Sequence, residues 1–249
     1  MSKPYLSVIV TNYNEEDNLA SGVLDEIYKY LSGSKFSYEM VLVNDGSTDS
    51  TLTILEKYSS AHPQARVINI PHMGKAAGVI TGALASRGKV ILFTDTDQST
   101  PISEFNKYLP VLKAGFDVII GSRPSRPGAP LYRQVLAYGM VLMRTLVLQL
   151  PYKDTQCGFK ALNISTAKRI FTIMKQVHPL KAINYPTTNP GFDLEILYLA
   201  RKLGYRITEI PVLWQYRESK RVTFIKDAIN GLKELFLVRY RSLTGAYKI

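Results

Sequence analysis

Short apolar runs alternate with helical patterns over the first 120 residues of the chain. The runs at residues 6–10, 40–43, 66–70, 89–93 and 117–120 are short and apolar, with many β-branched side chains, as is typical of buried parallel strands. Helical patterns lie between them, at residues 15–31, 47–58 and 75–87, and again from about residue 103. This alternation predicts right-handed βαβ units, and hence an α/β fold with a mostly parallel central sheet and flanking helices.

The pattern is looser after residue 121. It predicts an apolar helix at residues 133–150, a loop at 154–160, a helix at 192–203, a strand at 206–213 and a long amphipathic helix at 222–241. No Pro-, Gly- or Ser-rich linker, internal repeat or low-complexity tract interrupts the sequence. We therefore expect a single domain spanning residues 1–249.

Polar side chains follow three of the predicted strands at the points where those strands end. Tyr13 and Glu15 come after the first strand, Asp45 after the second, and Asp95 and Asp97 after the fourth. In open parallel sheets, ligands bind outside the carboxyl ends of the strands. The sequence therefore predicts a nucleotide site at this edge of the sheet.

The sequence Asp95-Thr96-Asp97 is the central chemical signal. Mg²⁺ and Mn²⁺ are held by one or two carboxylates together with phosphate oxygens, so two aspartates at a strand end are suited to a metal that neutralises a diphosphate. Two loop carboxylates that merely cap the next helix would give the same pattern, but the position after a buried strand favours the metal. Asp45 is suited to accept hydrogen bonds from a base or ribose, or else belongs to an ordinary turn with Gly46.

Charge is distributed unevenly along the chain. Residues 1–100 contain 8 Lys or Arg against 11 Asp or Glu, a net charge of −3, and residues 101–249 contain 23 against 9, a net charge of +14. A basic part of this kind suits a nucleic acid, an anionic lipid or a phosphorylated substrate, or is simply a solvated surface. Nucleic acid is the weakest alternative, because the aromatic residues are not interleaved with the basic ones as stacking platforms.

Two apolar helical stretches are candidate contacts with a membrane. Residues 135–150 are interrupted by Arg144 and Gln149 and fall short of the roughly 20 apolar residues that a membrane span needs. Residues 222–241 carry an apolar stripe flanked by basic side chains, which suits a helix lying in the headgroup region, although such a stripe also packs on a domain core. We therefore expect residues of about 122–249 to form a basic, membrane-apposed part.

The compartment is expected to be the cytoplasm. Cys157 is the single cysteine, so no intrachain disulfide can form, which suits a reducing compartment, and the N-terminal residues do not have the pattern of a signal peptide. We expect the protein to be peripheral on the inner, cytoplasmic face of a membrane.

The ordered set of motifs resembles a known family. In the first half, the motifs resemble the GT-A nucleotide-sugar-binding domain of family-2 glycosyltransferases: Tyr13-Asn14-Glu15, Asn44-Asp45-Gly46-Ser47, Gly74-Lys75, and Asp95 with Asp97. In the second half they resemble dolichyl-phosphate sugar synthases, and most of all the glucosyltransferase branch: Gly121-Ser122-Arg123, Arg133, the stretch at residues 154–160, Phe192-Asp193-Leu194-Glu195, Trp214, Ser219-Lys220, and the ending at residues 239–247.

The resemblance implies a role for each matching position. The nucleotide-sugar would be bound by Thr11, Tyr13, Glu15, Asp45, Lys75, Asp95 and Thr96. Asp95 and Asp97 would hold Mg²⁺ or Mn²⁺ and the diphosphate. The catalytic set would be Asp97 with Arg123, Arg133 and Lys220, the last three facing the acceptor phosphate. One departure concerns the metal: the mannosyl branch has a Gln two residues beyond its second Asp, where this chain has Ser99, and Gln98 comes one residue earlier.

The implied reaction is an inverting transfer of a hexose from a nucleotide-sugar, with UDP-glucose as the expected donor and a dolichyl or polyprenyl phosphate as the acceptor. Three alternatives stay open. One is mannosyl transfer to the same lipid. The second is transfer to a sugar hydroxyl, which needs a carboxylate base such as Asp154 or Asp193. The third is a nucleotide-binding module at a membrane surface without enzymatic activity.

Overall fold

The computed structural model describes residues 3–123, 131–178, 182, 191–215 and 224–249, with only the backbone described at 131–137 and 224–228. The strands are β1 (Leu6–Asn12), β2 (Tyr38–Asp45), β3 (Ala65–Ile70), β4 (Val90–Asp95), β5 (Val118–Ser122), β6 (Lys160–Asn163) and β7 (Ile207–Pro211). The helices are α1 (Glu16–Ala20), α2 (Val23–Ser32), α3 (Thr51–Ala61), α4 (Lys75–Ala85), α5 (Tyr108–Lys113), α6 (Leu131–Leu148), α7 (Ile164–Val177), α8 (Gly191–Lys202) and α9 (Phe224–Leu243), with a 3₁₀ turn at Ile102–Lys107 before α5.

The strands form one sheet in the order β3-β2-β1-β4-β6-β5-β7. All neighbouring strands run parallel except β6, which is antiparallel to both β4 and β5. The predicted α/β fold with a mostly parallel sheet is therefore confirmed. Because β2 and β3 extend the sheet to one side of β1 while β4 extends it to the other, the strand order reverses between β1 and β4, where α/β folds of this type bind ligands.

Helices cover both faces of the sheet because its central strands are apolar on both faces. Along β1, Val8 and Val10 pack into the core layer that contains α2, the 3₁₀ turn and α5, whereas Ile9 packs into the opposite layer with α4, α7 and α8. All three side chains are fully buried. Burial of a side chain of this size contributes roughly 1.5–3 kcal/mol, so these residues fix the strand at the centre of the molecule.

The observed elements differ from the predicted ones in two places. The helix predicted over residues 15–31 is interrupted at Gly22, whose φ of 89° permits the left-handed backbone that separates α1 from α2. β6 and α7 were not predicted, although the buried face of α7 has helical spacing at Ala167, Ile170, Phe171 and Met174. Lys160, at the start of β6, is the last residue of the segment predicted as a loop.

Helices α6 and α9 pack against one another at the edge of the α4–α7–α8 layer. Leu148 of α6 and Leu235 and Val238 of α9 are buried in that core. No helix in the described part of the chain is long and apolar enough to span a bilayer.

Candidate functional site

The candidate site begins where the carboxyl ends of β1 and β4 lie side by side. Thr11 of β1 is in register with Asp95 of β4. The Thr96 hydroxyl donates hydrogen bonds to the Thr11 carbonyl at 2.9 Å and to the Asn12 side-chain oxygen at 3.0 Å. Thr96 is buried, so in this structure it ties the acidic loop to β1. The predicted loop of polar side chains therefore lies at the reversal point of the sheet.

Asp95 is paired with a cation from the neighbouring helix. The Lys75 ammonium, in the first turn of α4, contacts Asp95 Oδ1, and both side chains are more than two-fifths exposed. Burial alone would raise the pKa of the Asp95 carboxyl, but Lys75, Lys160 and Arg123 hold that pKa below its ordinary value. Asp95 is therefore a carboxylate at neutral pH.

Asp97 and Gln98 point in different directions. Asp97 Oδ1 accepts a hydrogen bond from the Ser99 amide at 2.8 Å, which forms a small turn, and the side chain is half-buried. Gln98 has a φ of 49° and is buried, with its amide nitrogen bonded to the Thr94 hydroxyl at 3.2 Å and to the Asp95 carbonyl at 2.9 Å. Gln98 therefore braces the loop from within and does not extend its amide towards Asp97.

Asp45 organises the loop that leads into α4. Its carboxylate accepts hydrogen bonds from the amides of Met73 at 2.7 Å and Gly74 at 2.8 Å, and it lies 2.8 Å from His72 Nδ1. The Tyr13 ring stacks on the His72 imidazole with 3.8 Å between ring centroids. Both Asp45 oxygens thus hold the loop that contains His72, on which Tyr13 stacks. The same loop leads into α4, where Lys75 is the first residue.

His72 is a residue that sequence reasoning missed. The three histidines, His62, His72 and His178, show no spacing typical of zinc ligands, so spacing alone predicts no role for His72. Its position does carry a signal, because His72 lies two residues before the Gly74-Lys75 motif and follows β3. Glu15, predicted beside Tyr13, receives the Asn18 amide on its carboxylate, while its backbone amide donates to the Thr51 hydroxyl at 2.8 Å.

A second ion pair joins two residues of the predicted site, Arg123 and Asp154. Arg123, just after β5, donates from Nε to Asp154 Oδ2 at 2.6 Å and from a terminal nitrogen to Oδ1 at 2.9 Å, which is a bidentate pair. The Arg123 amide also donates to Asp154, at 3.1 Å. The guanidinium lies 5.8 Å from the ring centroid of Trp214. Arg123 is thus held by an acid and an aromatic face.

A third pair lies deeper in the site. Lys160 is fully buried, and its ammonium donates to the Cys157 carbonyl and to Asp193 Oδ1, from the first turn of α8. Between Cys157 and Lys160 the chain passes so close to the acidic loop that a Cβ at Gly158 would lie 2.1 Å from Asp95 Oδ2. Any side chain at position 158 would therefore displace the Asp95 carboxylate.

Two predicted residues cannot be placed in the same detail. The side chain of Arg133 lies outside the described part of the chain, although its backbone belongs to the first turns of α6, and Lys220 lies outside the described residues altogether. The remaining predicted residues follow the carboxyl ends of strands or lie in the helices and loops paired with them. Those at or after β1, β2 and β4 are Thr11, Tyr13, Glu15, Asp45, Asp95, Thr96, Asp97 and Gln98, and Lys75 begins α4. Arg123 follows β5, Asp154 lies in the loop before β6, and Asp193 lies in the first turn of α8.

The residues present fit a metal that arrives with a nucleotide. Among the described residues, no cluster of three or more His, Cys, Asp or Glu side chains forms a metal cage. Asp95 and Asp97 are two carboxylates at a partly open edge of the sheet. Mg²⁺ is commonly held in this way, by one or two carboxylates, with substrate phosphates and water completing the coordination.

Comparison with known proteins agrees with this geometry. Residues 7–171 match the family described as glycosyl transferase family 2. The dolichyl-phosphate beta-glucosyltransferase of Dictyostelium discoideum is 34% identical over 98% of this chain and 77% of its own length, and that of Homo sapiens is 30% identical over 98% and 78%.

Solved structures with similar folds are more distant in sequence. Glucosyl-3-phosphoglycerate synthase from Mycobacterium tuberculosis, in complex with Mn²⁺, UDP-glucose and phosphoglyceric acid, has a TM-score of 0.59 at 18% identity and covers 95% of this chain and 79% of its own. A mannosyltransferase from Pyrobaculum calidifontis, in complex with GDP-Man and Mn²⁺, has a TM-score of 0.61 at 19% identity, over 97% and 65%. The GT-A type of fold is thereby confirmed, and the chain belongs to glycosyltransferase family 2.

Proposed function

We propose that this glycosyltransferase transfers glucose from UDP-glucose to a dolichyl or polyprenyl phosphate and inverts the anomeric centre. The names of the relatives at 30–34% identity support the choice of sugar and lipid phosphate. The observation that carries the choice of acceptor is the state of the two carboxylates that were candidates for a general base, Asp154 and Asp193. Both are ion-paired.

A sugar hydroxyl would need a base to remove its proton, and neither carboxylate suits that task. Burial would raise the pKa of Asp154, but the bidentate contact with Arg123 keeps that pKa below its ordinary value. A carboxylate with a lowered pKa is a weaker base. Asp193 shares its Oδ1 with the buried Lys160 ammonium. A phosphate acceptor needs no base, since its second pKa is about 6 and it is largely ionised at neutral pH.

The donor would lie across the ends of β1, β2 and β4. The loop held by Asp45, with Tyr13 stacked on His72, offers a rigid wall for the nucleoside. Asp95 and Asp97 would hold Mg²⁺ or Mn²⁺, which would neutralise the negative charge that develops on the leaving diphosphate. Lys75, at the start of α4, offers a further cation on the same side.

The acceptor phosphate would approach from the side of Arg123, with Arg133 and Lys220 as further cations. One acceptor oxygen forms the bond to the anomeric carbon while the bond from that carbon to the diphosphate oxygen breaks, and UDP leaves with the electron pair. The cations offset the repulsion between the incoming phosphate and the diphosphate. The chain's contribution is to position both anions and to stabilise charge.

A lipid acceptor would lie in a membrane, and the exposed apolar side chains of α6 and α9 are suited to contact a membrane surface. Tyr138, Leu142 and Leu146 form an exposed row along α6, and Phe236 and Tyr240 are exposed on the neighbouring α9. With the positive charge of residues 101–249, this apolar surface suits the headgroup region of an anionic membrane. The expected site is the cytoplasmic face.

A panel of donors tests the proposal. The protein is incubated with UDP-glucose, UDP-N-acetylglucosamine or GDP-mannose, with a polyprenyl phosphate or a free sugar as acceptor, and with Mn²⁺ or EDTA, and products are identified by mass. We expect a hexosyl polyprenyl phosphate from UDP-glucose and Mn²⁺ only. Product from GDP-mannose would indicate the mannosyl alternative, and product on the free sugar would indicate a hydroxyl acceptor.

Replacement of Arg133 tests the acceptor side specifically. Loss of a hydrogen bond to a charged group costs roughly 1.5–3 kcal/mol, so we expect Arg133→Ala to lower kcat/KM for the lipid by about 10- to 100-fold. Binding of UDP should barely change, and Arg133→Lys should restore activity only in part, because lysine lacks the planar fork. An equal loss of UDP affinity would show that Arg133 belongs to the donor side. If Asp154→Asn or Asp193→Asn alone abolishes transfer while Arg123→Ala and Arg133→Ala stay active, the acceptor is a hydroxyl.

A further inference from the structure

Four aspartates of the site, Asp95, Asp97, Asp154 and Asp193, differ in whether a lysine or arginine of the described part of the chain pairs with them. Three cations pair with three carboxylates: Lys75 with Asp95, Arg123 with Asp154, and Lys160 with Asp193. The fourth carboxylate is Asp97, which has no Lys, Arg or His nitrogen within 4 Å in the described part of the chain. Its contact is with the Ser99 amide.

The three pairs differ in how firmly they are held. Arg123 donates hydrogen bonds to Asp154 from two nitrogens of its planar guanidinium and from its backbone amide. Lys160 is fully buried. The Lys75 side chain is 44% exposed, and within the described residues its ion pair is with Asp95. Its ammonium lies at the end of a flexible four-carbon side chain. Of these three cations, Lys75 is the one that can leave its partner without opening the core.

The Lys75 ammonium contacts Oδ1 of Asp95, one of the two carboxylates that would hold a divalent cation. Burial would lower the pKa of Lys75, but the charges of Asp95, Asp193 and Asp97 raise it. Two of them, Asp95 and Asp97, are the carboxylates suited to a divalent cation. A metal that binds Asp95 through both charge and coordination therefore competes with Lys75 for the same oxygen.

We propose that Lys75 is a tethered substitute for the divalent cation: it neutralises Asp95 in the empty enzyme, leaves when the metal–nucleotide complex binds, and then pairs with the diphosphate. This inference rests on the proposed function, because it takes a metal-bound nucleoside diphosphate as the ligand. Lys75 thereby ties metal binding to nucleotide binding. Free metal must displace the ammonium, whereas metal that arrives with a diphosphate provides that ammonium with a new partner.

Coupling of metal binding to nucleotide binding through Lys75 can be distinguished experimentally from coupling through direct contact between metal and phosphate. Direct contact strengthens metal binding in the presence of nucleotide whether or not Lys75 is there. Competition by Lys75 weakens metal binding in the absence of nucleotide, so only removal of the ammonium should strengthen binding of the metal alone. Couplings between sites typically change affinity by about 5- to 150-fold, and we expect about tenfold here.

The test measures Mn²⁺ binding by the electron paramagnetic resonance signal of the free ion, with and without UDP. The variants are Lys75→Met, Lys75→Arg, and Lys57→Met, which removes a charge from an exposed position on α3. We expect Lys75→Met to bind Mn²⁺ alone about tenfold more tightly than the unmodified protein, and UDP about tenfold more weakly at saturating Mn²⁺. Lys75→Arg and Lys57→Met should bind Mn²⁺ alone as the unmodified protein does.

A further variant shows where the ion binds. Adding Asp97→Ala to Lys75→Met should abolish the gain in Mn²⁺ affinity. The proposal is overturned if Lys75→Met binds Mn²⁺ alone no more tightly than Lys57→Met, or if the gain survives the loss of Asp97. If the unmodified protein fails to bind UDP with Mn²⁺, the proposed donor is wrong, while the comparison in Mn²⁺ alone still decides the role of Lys75.

Discussion

Gly158 shows how a single position sets the shape of the acidic site. A Cβ there would lie 2.1 Å from Asp95 Oδ2 and 2.6 Å from its carboxyl carbon, well inside contact distance. The backbone of the segment before β6 therefore lies directly against the Asp95 carboxylate. Asp95 would have to move to admit any side chain at position 158.

We expect Gly158→Ala to lower transfer activity and Mn²⁺ affinity by about tenfold or more, because the added methyl displaces Asp95. Gly139→Ala is the matched control, since a Cβ at Gly139 on α6 meets nothing within 4 Å. Alanine in a helix interior is favoured over glycine by roughly 0.5–1 kcal/mol, so this control should be at least as stable. Steady-state kinetics and Mn²⁺ titration provide the measurement. Unchanged Mn²⁺ affinity in Gly158→Ala would mean that the two segments separate easily.

Asp97 lies within 4 Å of no Lys, Arg or His nitrogen in the described part of the chain, so its replacement should affect ligand binding more than folding. We expect Asp97→Asn to reduce kcat by 100-fold or more and to make the residual activity insensitive to EDTA. The reason is that a neutral amide lacks the negative charge with which the carboxylate would bind a metal ion. Asp17→Asn, at an exposed position on α1, should be fully active. Metal-dependent turnover in Asp97→Asn close to that of the unmodified protein would contradict this role.

At the scale of elements, the sequence predicted the first half of the sheet more fully than the second. The strands β1, β2, β4 and β5 are buried runs rich in apolar residues, whereas β3 is a partly buried edge strand. The polar residues at the ends of β1, β2 and β4 lie at one edge, as parallel strands require. β6 has four residues and begins with the charged Lys160, so its pattern does not distinguish it from a loop. Lys160 is buried only because Asp193, 33 residues further along, provides its counter-charge.

The same limit applies to the predicted site. The resemblance to the family implied its residues, but their partners within the chain could not be predicted. Arg123 was expected to face the acceptor phosphate, and the structure shows it bound to Asp154, 31 residues away in the chain. Ion pairs between loops depend on the tertiary fold, which a periodic pattern does not specify. Asp45 is predicted to contact a nucleoside, and the structure shows in addition that its two oxygens hold the His72 loop.

Helices α8 and α9 are joined by a buried carboxylate. Glu195 of α8 is almost fully buried and contacts His178 after α7, Arg241 of α9 at 3.2 Å and the Tyr247 hydroxyl at 2.7 Å. Burial would raise the pKa of Glu195, but His178, Tyr247 and Arg241 keep that pKa below its ordinary value. The C-terminal residues are thereby fastened to the core.

We expect Glu195→Gln to lower the free energy of unfolding at pH 7 by about 3 kcal/mol, since breaking a buried pair typically costs 3–5 kcal/mol and glutamine keeps part of the hydrogen bonding. A lowered carboxyl pKa adds stability above the unfolded-state value of about 4.3, and that stability is lost as pH falls through the folded-state pKa. The difference between the two proteins should therefore shrink below about pH 4. Urea unfolding at both pH values measures it, with the exposed Glu56→Gln as control. A difference that grows in acid would be incompatible with a lowered pKa.

At the scale of the whole molecule, charge and apolar surface occupy the same half of the chain. Residues 101–249 carry a net charge of +14, and the exposed rows of α6 and α9 belong to that half. Exposed Lys233 and Arg239 lie on α9 among these apolar side chains. Electrostatic attraction would bring the molecule to an anionic surface, and the apolar rows would then insert into the headgroup region.

These two contributions can be separated by flotation with liposomes. We expect the protein to float with anionic liposomes at low salt and progressively less as salt rises, because the screening length falls to about 8 Å at 0.15 M and further beyond. Leu142→Ser combined with Leu146→Ser should weaken binding at least tenfold at every salt concentration, since each leucine contributes roughly 1.5–3 kcal/mol when fully buried. Both are exposed, at 59% and 68%, so folding should be unaffected. Leu213→Ser, at a leucine 54% exposed outside α6 and α9, is the control and should float normally. A protein that stays unbound at low salt, or a double variant that floats as well as the control, would remove α6 as the membrane-facing helix.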